Sequence, residues 1–175
     1  MPANASAKEA LRTRIRKKIR GMTPSMIEAE SRAIRSKLDF QAGERVAFFA
    51  ALPTEPDLLP LLDQYPETHW YLPRVTGEGE MMFIRIDAQT KLKRGSFGIL
   101  EPPGHESCLQ FDTVLCPGVA FTSEGYRLGQ GGGFYDRFLT KHRPARTLGV
   151  GFQCQIVDKL PSEDHDVIMD KVITS

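Results

Sequence analysis

Apolar residues recur along this chain at two different spacings, and the spacing indicates which element each segment forms. Leu11, Ile15 and Ile19 fall at i, i+4 and i+8 in an otherwise polar stretch, so residues 6–20 are expected as a helix docking one stripe on a core. Lys8, Arg12 and Arg16 form a second stripe on the same helix and project together from one flank. Gly21 ends it. Thr23 then suits an N-cap and Pro24 the first position of a second helix, with Met26, Ile27, Ala33, Ile34 and Leu38 as its buried positions. The chain turns at Gly43 into Arg45-Val46-Ala47-Phe48-Phe49-Ala50-Ala51, a short apolar run of the kind a buried parallel strand needs.

Further along, Leu58 to Gln64 is expected as a helix and Thr68 to Pro73 as a second strand, with Trp70 in the core. Glu80 to Ile86 alternates only partly, which suits a strand near a sheet edge; Met81 and Met82 on it are expected as core or pocket wall, and Met82 and Phe83 are candidates for a ligand pocket. Phe111 to Pro117 is expected as another buried strand, with Val119-Ala120-Phe121 extending the same ridge. Phe134 to His142 is expected as a helix and Thr147 to Phe152 as the last major strand. Strands alternating with helices predict an α/β fold with a mostly parallel sheet covered on both faces, as one three-layer α/β/α domain over residues 1–175. Ligands bind such sheets beyond the carboxyl ends of the strands. The loops to inspect are therefore Leu52 to Asp57, Pro117 to Gly133 and Gln153 to Asp166.

Composition narrows the function classes. Apolar residues make up 41% and charged residues 26%, as in ordinary globular proteins. No apolar run approaches the roughly 18 residues of a membrane span, and the polar, alanine-rich stretch from Met1 to Leu11 leads to the expectation that the protein is not exported. Cys108, Cys116 and Cys154 form neither a CxxC pair nor a zinc pattern and read as free thiols, so a cytoplasmic location is expected. Net charge is +1 but unevenly spread: seven basic residues from Lys8 to Arg20 face Glu9 alone, a local +6 against −5 for the remainder. Such a patch suits a nucleotide phosphate, a nucleic acid or a membrane surface.

The most informative stretch is Arg127 to Arg137. Four of the five residues Gly129-Gln130-Gly131-Gly132-Gly133 are glycine, placed between a strand and a helix. Glycine is costly there unless the backbone takes positive φ or a ligand approaches closely. Successive N–H groups leading into a helix form an anion cradle. Asp136 in the first turn is placed to hold Mg²⁺ on phosphate oxygens, and Arg127 and Arg137 flank the turn as charge-neutralising candidates. No Gly-Lys-Ser/Thr follows, which excludes a Walker A loop, and the dinucleotide fingerprint fails because Phe134 or Asp136 stands where its third glycine belongs.

The run Gly129 to Arg137 resembles the signature of the 5-formyltetrahydrofolate cyclo-ligases, the 5,10-methenyltetrahydrofolate synthetases, and the likeness extends over nearly the whole chain. Leu52-Pro53-Thr54-Glu55-Pro56-Asp57, Leu72-Pro73-Arg74, Ile99 to Pro102, Pro117 to Phe121, Gly151-Phe152, Gln155, Leu160-Pro161 and His165-Asp166 are similar to further family stretches. The resemblance implies a fold of the NagB/RpiA/CoA-transferase-like type. It implies an enzyme that uses ATP and Mg²⁺ to cyclise 5-formyltetrahydrofolate to 5,10-methenyltetrahydrofolate, releasing ADP and phosphate after phosphorylating the formyl oxygen. By the same resemblance ATP falls to Lys8, Arg12, Arg127, the turn Gly129, Gln130, Gly131, Gly132 and Gly133, and Phe134 and Tyr135. The folate falls to Leu52, Glu55 and Tyr135, Mg²⁺ to Asp136 and Asp166, and catalysis to Arg127, Tyr135 and Asp136. Some family members carry basic residues inside the turn, where this chain has Gln130 and Gly132, so its phosphate charge rests on Lys8, Arg12, Arg127 and the backbone.

Each assignment has a structural alternative. Lys8 and Arg12 also suit a solvated helix face, Glu55 an ordinary loop acid, and Tyr135 a core aromatic. A nucleic-acid binder would account for the basic segment, but neither an aromatic RNP run nor zinc-finger spacing accompanies it. The expected partners are small molecules only, with no nucleic acid and no membrane, and the expected state is a monomer.

Overall fold

A computed structural model describes residues 2–77, 79–95, 98–161, 163 and 166–175. Helix α1 (Pro2–Arg20) buries Ile15 and Ile19, the stripe its spacing predicts. Helix α2 (Pro24–Arg35) starts where Thr23 caps it: the Thr23 hydroxyl accepts from the Met26 N–H at 3.3 Å, with Pro24 in the first turn. Strand β1 (Arg45–Ala47) covers only the first part of the run Arg45 to Ala51 expected as a strand, and the chain continues through a loop to the four-residue α3 (Leu61–Gln64). The expected helix from Leu58 is thus shortened, because Pro60 takes the N-cap position.

Strands β2 (His69–Gly77) and β3 (Glu80–Ile86) form a long antiparallel hairpin. Short strands β4 (Lys93–Arg94), β5 (Leu100–Glu101) and β6 (Ser107–Cys108) follow. Then come β7 (Thr113–Pro117), β8 (Ala120–Phe121), β9 (Arg127–Leu128), α4 (Phe134–Lys141), β10 (Arg146–Val150) and β11 (Lys171–Ile173). The main sheet has the order β11-β10-β7-β1-β2-β3-β6. Its first five strands run parallel, while β3 and β6 are antiparallel additions at one edge. The fold is therefore α/β with a mostly parallel sheet, and β3 lies next to the edge as its weak alternation suggests.

Period-2 alternation divides the core between the two faces of this sheet. Val46, Phe48, Trp70, Leu72 and Leu115 pack with α1, α2 and α3 on one face. Ala47, Tyr71, Val114 and Cys116 pack with Phe138 and Leu139 of α4 on the other. Helices thus cover both faces.

Three further details depart from the sequence expectation. Strand β2 runs past Pro73 to Gly77, because β1 pairs with it only as far as Tyr71 and leaves the proline on an unpaired edge. Val119 to Phe121 does not extend the ridge of β7. Instead β8 pairs antiparallel with β9, with Gly125 at φ +95° in the turn between them. Finally, β11 extends the sheet beyond β10 through a three-residue segment with no period of its own.

Candidate functional site

Beyond the carboxyl ends of β1 and β7 lies a cavity of about 400 Å³. Phe49, Ala50, Leu52 and Glu55 enter it after β1, and Pro117, Arg127 and the glycine turn after β7. Pro73, Val75 and Met81 of the β2–β3 hairpin form a third wall, and Ile99 and Glu101 close the side. Met81, not Met82 or Phe83, faces this space. The Met82 sulfur lies 3.6 Å from an Arg74 nitrogen, and Phe83 is fully buried among Phe111, Tyr135 and Phe138.

The glycine turn needs its glycines. Gly131 and Gly133 sit at φ +110° and +65°, where a side chain is strained. Gly133 caps α4, so the turn passes straight into the helix N-terminus. One side of the turn faces the cavity and the other is held by α1. Arg12 Nε donates to Gly129 O at 3.0 Å, and Arg16 Nη2 donates to the Gln130 amide oxygen at 2.7 Å. Lys8 reaches the late loop, 3.0 Å from Glu163 and 3.3 Å from Asp166. The side chains of Lys8 and Arg12 are only 11% and 13% exposed, so they pack against these loops and not out into solvent. Arg16 belongs to the same stripe, and its contact with the turn was legible only as a shared helix flank.

At the base of the cavity Arg127 and Asp136 form a 2.9 Å ion pair, with side chains 3% and 16% exposed. Arg127 also donates to Pro117 O at 3.2 Å and lies 5.6 Å from the centre of the Tyr135 ring. Asp136 Oδ1 accepts a second bond from Val167 N at 3.3 Å, which brings the chain next to Asp166 against it. His165 lies outside the described residues. The Tyr135 hydroxyl and Arg127 Nε are buried without a hydrogen-bond partner among the described residues. Both residues line the cavity. Tyr135 combines both of its readings, since its ring contacts Phe83 while its hydroxyl is unpaired. Burial pushes its phenol well above the ordinary range, and it pushes the thiol of nearby Cys116 up to about 12, so that cysteine is no nucleophile.

Glu55 is 6% exposed, and its Oε2 accepts from Leu52 N at 2.9 Å. Burial raises its pKa, with the Leu52 bond and the Gln130 amide opposing the rise. Its loop is fixed from behind by α2: the Ser31 hydroxyl accepts from Asp57 N at 3.2 Å, and Arg35 donates to Asp57 O at 2.6 Å. Neither support was legible in the sequence, since both partners look like ordinary helix residues. Arg137, expected to neutralise charge, instead donates to two carbonyls, Gly79 O at 2.8 Å and Gly132 O at 2.6 Å.

Among the described residues no group of three or more His, Cys, Asp or Glu side chains is arranged for a metal, and no helix is long and apolar enough to cross a membrane. Asp136 and Asp166 are oxygen donors on adjoining segments, each already facing a cation. Mg²⁺ is commonly held by one or two carboxylates together with substrate phosphates, so this pair fits the ion when phosphates complete its shell.

Known proteins match this arrangement over almost its full length. The 30%-identical 5-formyltetrahydrofolate cyclo-ligase of Escherichia coli K12 aligns over 174 residues, 91% of this chain and 96% of the relative. The enzyme of that name from Mycolicibacterium smegmatis is 31% identical, covering 96% of this chain and 93% of its own. Among solved structures, the 5,10-methenyltetrahydrofolate synthetase of Aquifex aeolicus superposes with a TM-score of 0.83 at 31% identity, over 95% of this chain and 88% of that one. A synthetase from Mycoplasma pneumoniae shares the fold with a TM-score of 0.75 at 22% identity, over 95% of this chain and 98% of that one. The model of the 5-formyltetrahydrofolate cyclo-ligase family matches residues 4–175, and the chain belongs to that family.

Proposed function

We propose that residues 1–175 act as one monomeric domain that transfers the γ-phosphoryl of ATP to the formyl oxygen of 5-formyltetrahydrofolate and closes the ring to 5,10-methenyltetrahydrofolate. The observation that carries the reading is a phosphate-type glycine turn with cations on one side and a largely apolar cavity holding Glu55 on the other. The turn lies between the two, where a phosphoryl group must pass from nucleotide to folate. Three free cysteines support a cytoplasmic location.

The chemistry sets what the protein must supply. An amide oxygen leaves badly as water or hydroxide; phosphorylated, it leaves as phosphate. N10 then attacks the formyl carbon, the new C–N bond forms, N10 gives up its proton, and the C–O bond breaks with departure of phosphate. Positioning and charge stabilisation are therefore the main demands. Backbone N–H groups from Gly129 to Gly133 cradle the phosphates, joined by Lys8 and Arg12, with Phe134 and Tyr135 at the helix start. Arg127 stabilises charge building on the transferred group. Glu55 and Leu52 hold the pterin, the Glu55 carboxylate accepting its N–H donors, and the Tyr135 hydroxyl gains a partner on the substrate. Asp136 and Asp166 would hold Mg²⁺, which neutralises phosphate oxygens when bound.

The test is absorbance in the methenyltetrahydrofolate band with purified protein, 5-formyltetrahydrofolate, Mg²⁺ and ATP. A rise that requires both ATP and Asp136 is expected. A flat trace from folded, nucleotide-binding protein overturns the substrate assignment.

A further inference from the structure

Two walls of the cavity belong to different units, which pack together beneath it where Phe83 of β3 meets Tyr135 and Phe138 of α4. The β2–β3 hairpin carries Val75 and Met81 and projects beyond the end of its pairing with β1. The glycine turn carries Gly129 to Gly133 and ends at α4. Above that packing, at the exposed rim, the Arg137 side chain spans the two. Arg137, on the exposed surface of α4, donates Nε to Gly79 O in the hairpin turn at 2.8 Å and Nη2 to Gly132 O at 2.6 Å. Its guanidinium also lies 5.4 Å from the centre of the Phe134 ring.

The surroundings are shaped to this group. Gly79 and Gly133 both sit at positive φ, and a Cβ built on either would stand 2.6 Å from a guanidinium nitrogen. Two glycines from chain segments more than fifty residues apart thus leave room for one planar fork. The fork geometry matters. Nitrogens at fixed angles reach two carbonyls while the flat face rests on a ring, which an ammonium on a flexible stem cannot reproduce.

Both guanidinium bonds end on backbone oxygens, not on a carboxylate, so the side chain reads positions of the chain and does not neutralise a partner. We infer that Arg137 is a positioning residue, a latch that sets the distance between the folate-facing hairpin and the phosphate turn, and hence between the formyl oxygen and the γ-phosphorus. The inference rests on the cyclo-ligase reading above. It separates two demands that the site otherwise merges: binding nucleotide draws on the turn, α1, Arg127 and the start of α4, whereas transfer also needs the turn and the hairpin in register.

The experiment compares wild type with Arg137→Ala, Arg137→Lys, Gly79→Ala and the Arg137→Ala/Gly79→Ala pair, each first checked for an intact thermal transition. Calorimetry measures binding of a non-hydrolysable ATP analogue without folate, and steady-state assays give kcat and KM for each substrate. A misplacement of about 1 Å can cost on the order of a hundredfold in rate. The latch therefore predicts at least a roughly tenfold fall in kcat for Arg137→Ala, with nucleotide affinity kept within about twofold. Arg137→Lys should fail to restore the rate, Gly79→Ala should reproduce the loss by displacing the guanidinium, and the pair should be little worse than either change alone. Weakened nucleotide binding in Arg137→Ala that Arg137→Lys restores would show a phosphate-neutralising charge and overturn the latch. Full additivity of Arg137→Ala and Gly79→Ala would overturn it as well. Absence of methenyl product from wild type strikes the parent reading, and the latch with it; the variants alone strike only the latch.

Discussion

Replacing Asp136 with alanine removes the carboxylate that faces Arg127, and the consequence reaches beyond catalysis. The Arg127 side chain is 3% exposed, Nη1 holds Pro117 O, and Nε is already unpartnered among the described residues. After the substitution a buried guanidinium keeps one neutral carbonyl. Breaking a buried pair from one side costs about 3–5 kcal/mol, since an uncompensated charge stays behind. Asp136 is 16% exposed, so water partly replaces it and the lower end, about 3 kcal/mol, applies. For a chain of this length that is a fall in Tm of roughly 6–12 °C. Removing both charges in Arg127→Met/Asp136→Leu leaves no orphan and should cost clearly less than the two single changes summed. Urea and thermal unfolding of wild type, Asp136→Ala, Arg127→Met, Asp136→Leu and the double variant read this directly, with methenyl formation followed in parallel. The double variant is expected to regain stability without activity, which separates the structural part of the pair from the chemical part. An Asp136→Ala protein as stable as wild type, or a double variant whose cost equals the sum of the singles, refutes the reasoning.

Two further outcomes follow from the same geometry. Burial raises the Glu55 pKa, so the folded state binds its proton more tightly than the unfolded one; this group's contribution is full below the ordinary glutamate value of 4.5 and is lost as pH rises through the higher folded value. Glu55→Gln, which stays neutral, should therefore gain stability relative to wild type as pH climbs through that window while folate affinity falls; Tm against pH checks the first and KM for 5-formyltetrahydrofolate the second, and a pH-independent Tm difference counts against the assignment. Fully buried Gln155 donates to Gly118 O at 2.7 Å and Val119 O at 3.0 Å and accepts from Phe152 N at 2.6 Å. Gln155→Ala strands three buried backbone groups and should cost about 2–4 kcal/mol in urea unfolding, so a loss under about 1 kcal/mol would mean that water replaces the amide.

Parts of this site were legible because they depend on local rules. The Thr23-Pro24 helix start, the apolar run at β1 and the glycine turn each announce themselves within a few residues, since capping, burial on both sheet faces and positive φ are local demands. What failed depended on partners distant in sequence. Strand β11 exists because Lys171, Val172 and Ile173 find β10 beside them, and three residues carry no period. Which of Met81 and Met82 lines the cavity is a matter of parity, fixed by how β3 registers on β2. Arg137 was legible as a charge beside the turn, but its partner Gly79 lies 58 residues away, and nothing local distinguishes a cation that meets phosphate from one that meets carbonyls. The supports of Glu55 at Ser31 and Arg35 were hidden for the same reason.

The apolar character of the cavity is a condition of the reaction and not only of binding. Once the formyl oxygen carries a phosphoryl group, its carbon is open to two nucleophiles. Attack by N10 gives the methenyl product, whereas attack by water expels phosphate and regenerates the formyl amide, so the net result is ATP hydrolysis. The protein has no covalent means of choosing between them; it can only exclude water and hold N10 close. Phe49, Leu52, Val75 and Met81 provide that exclusion, and Met81 is the wall residue closest in sequence to the hairpin turn. Met81→Ser shortens that wall and adds a hydroxyl while leaving the turn, α1 and the Arg127–Asp136 pair untouched. The variant should therefore still bind nucleotide and transfer phosphoryl, but should release more ADP than it forms methenyltetrahydrofolate, whereas wild type releases them in equal amounts. Coupled ADP detection and methenyl absorbance on the same sample give the ratio. A ratio that stays at unity while both rates fall together would show that the wall only binds the folate and that water is kept out elsewhere.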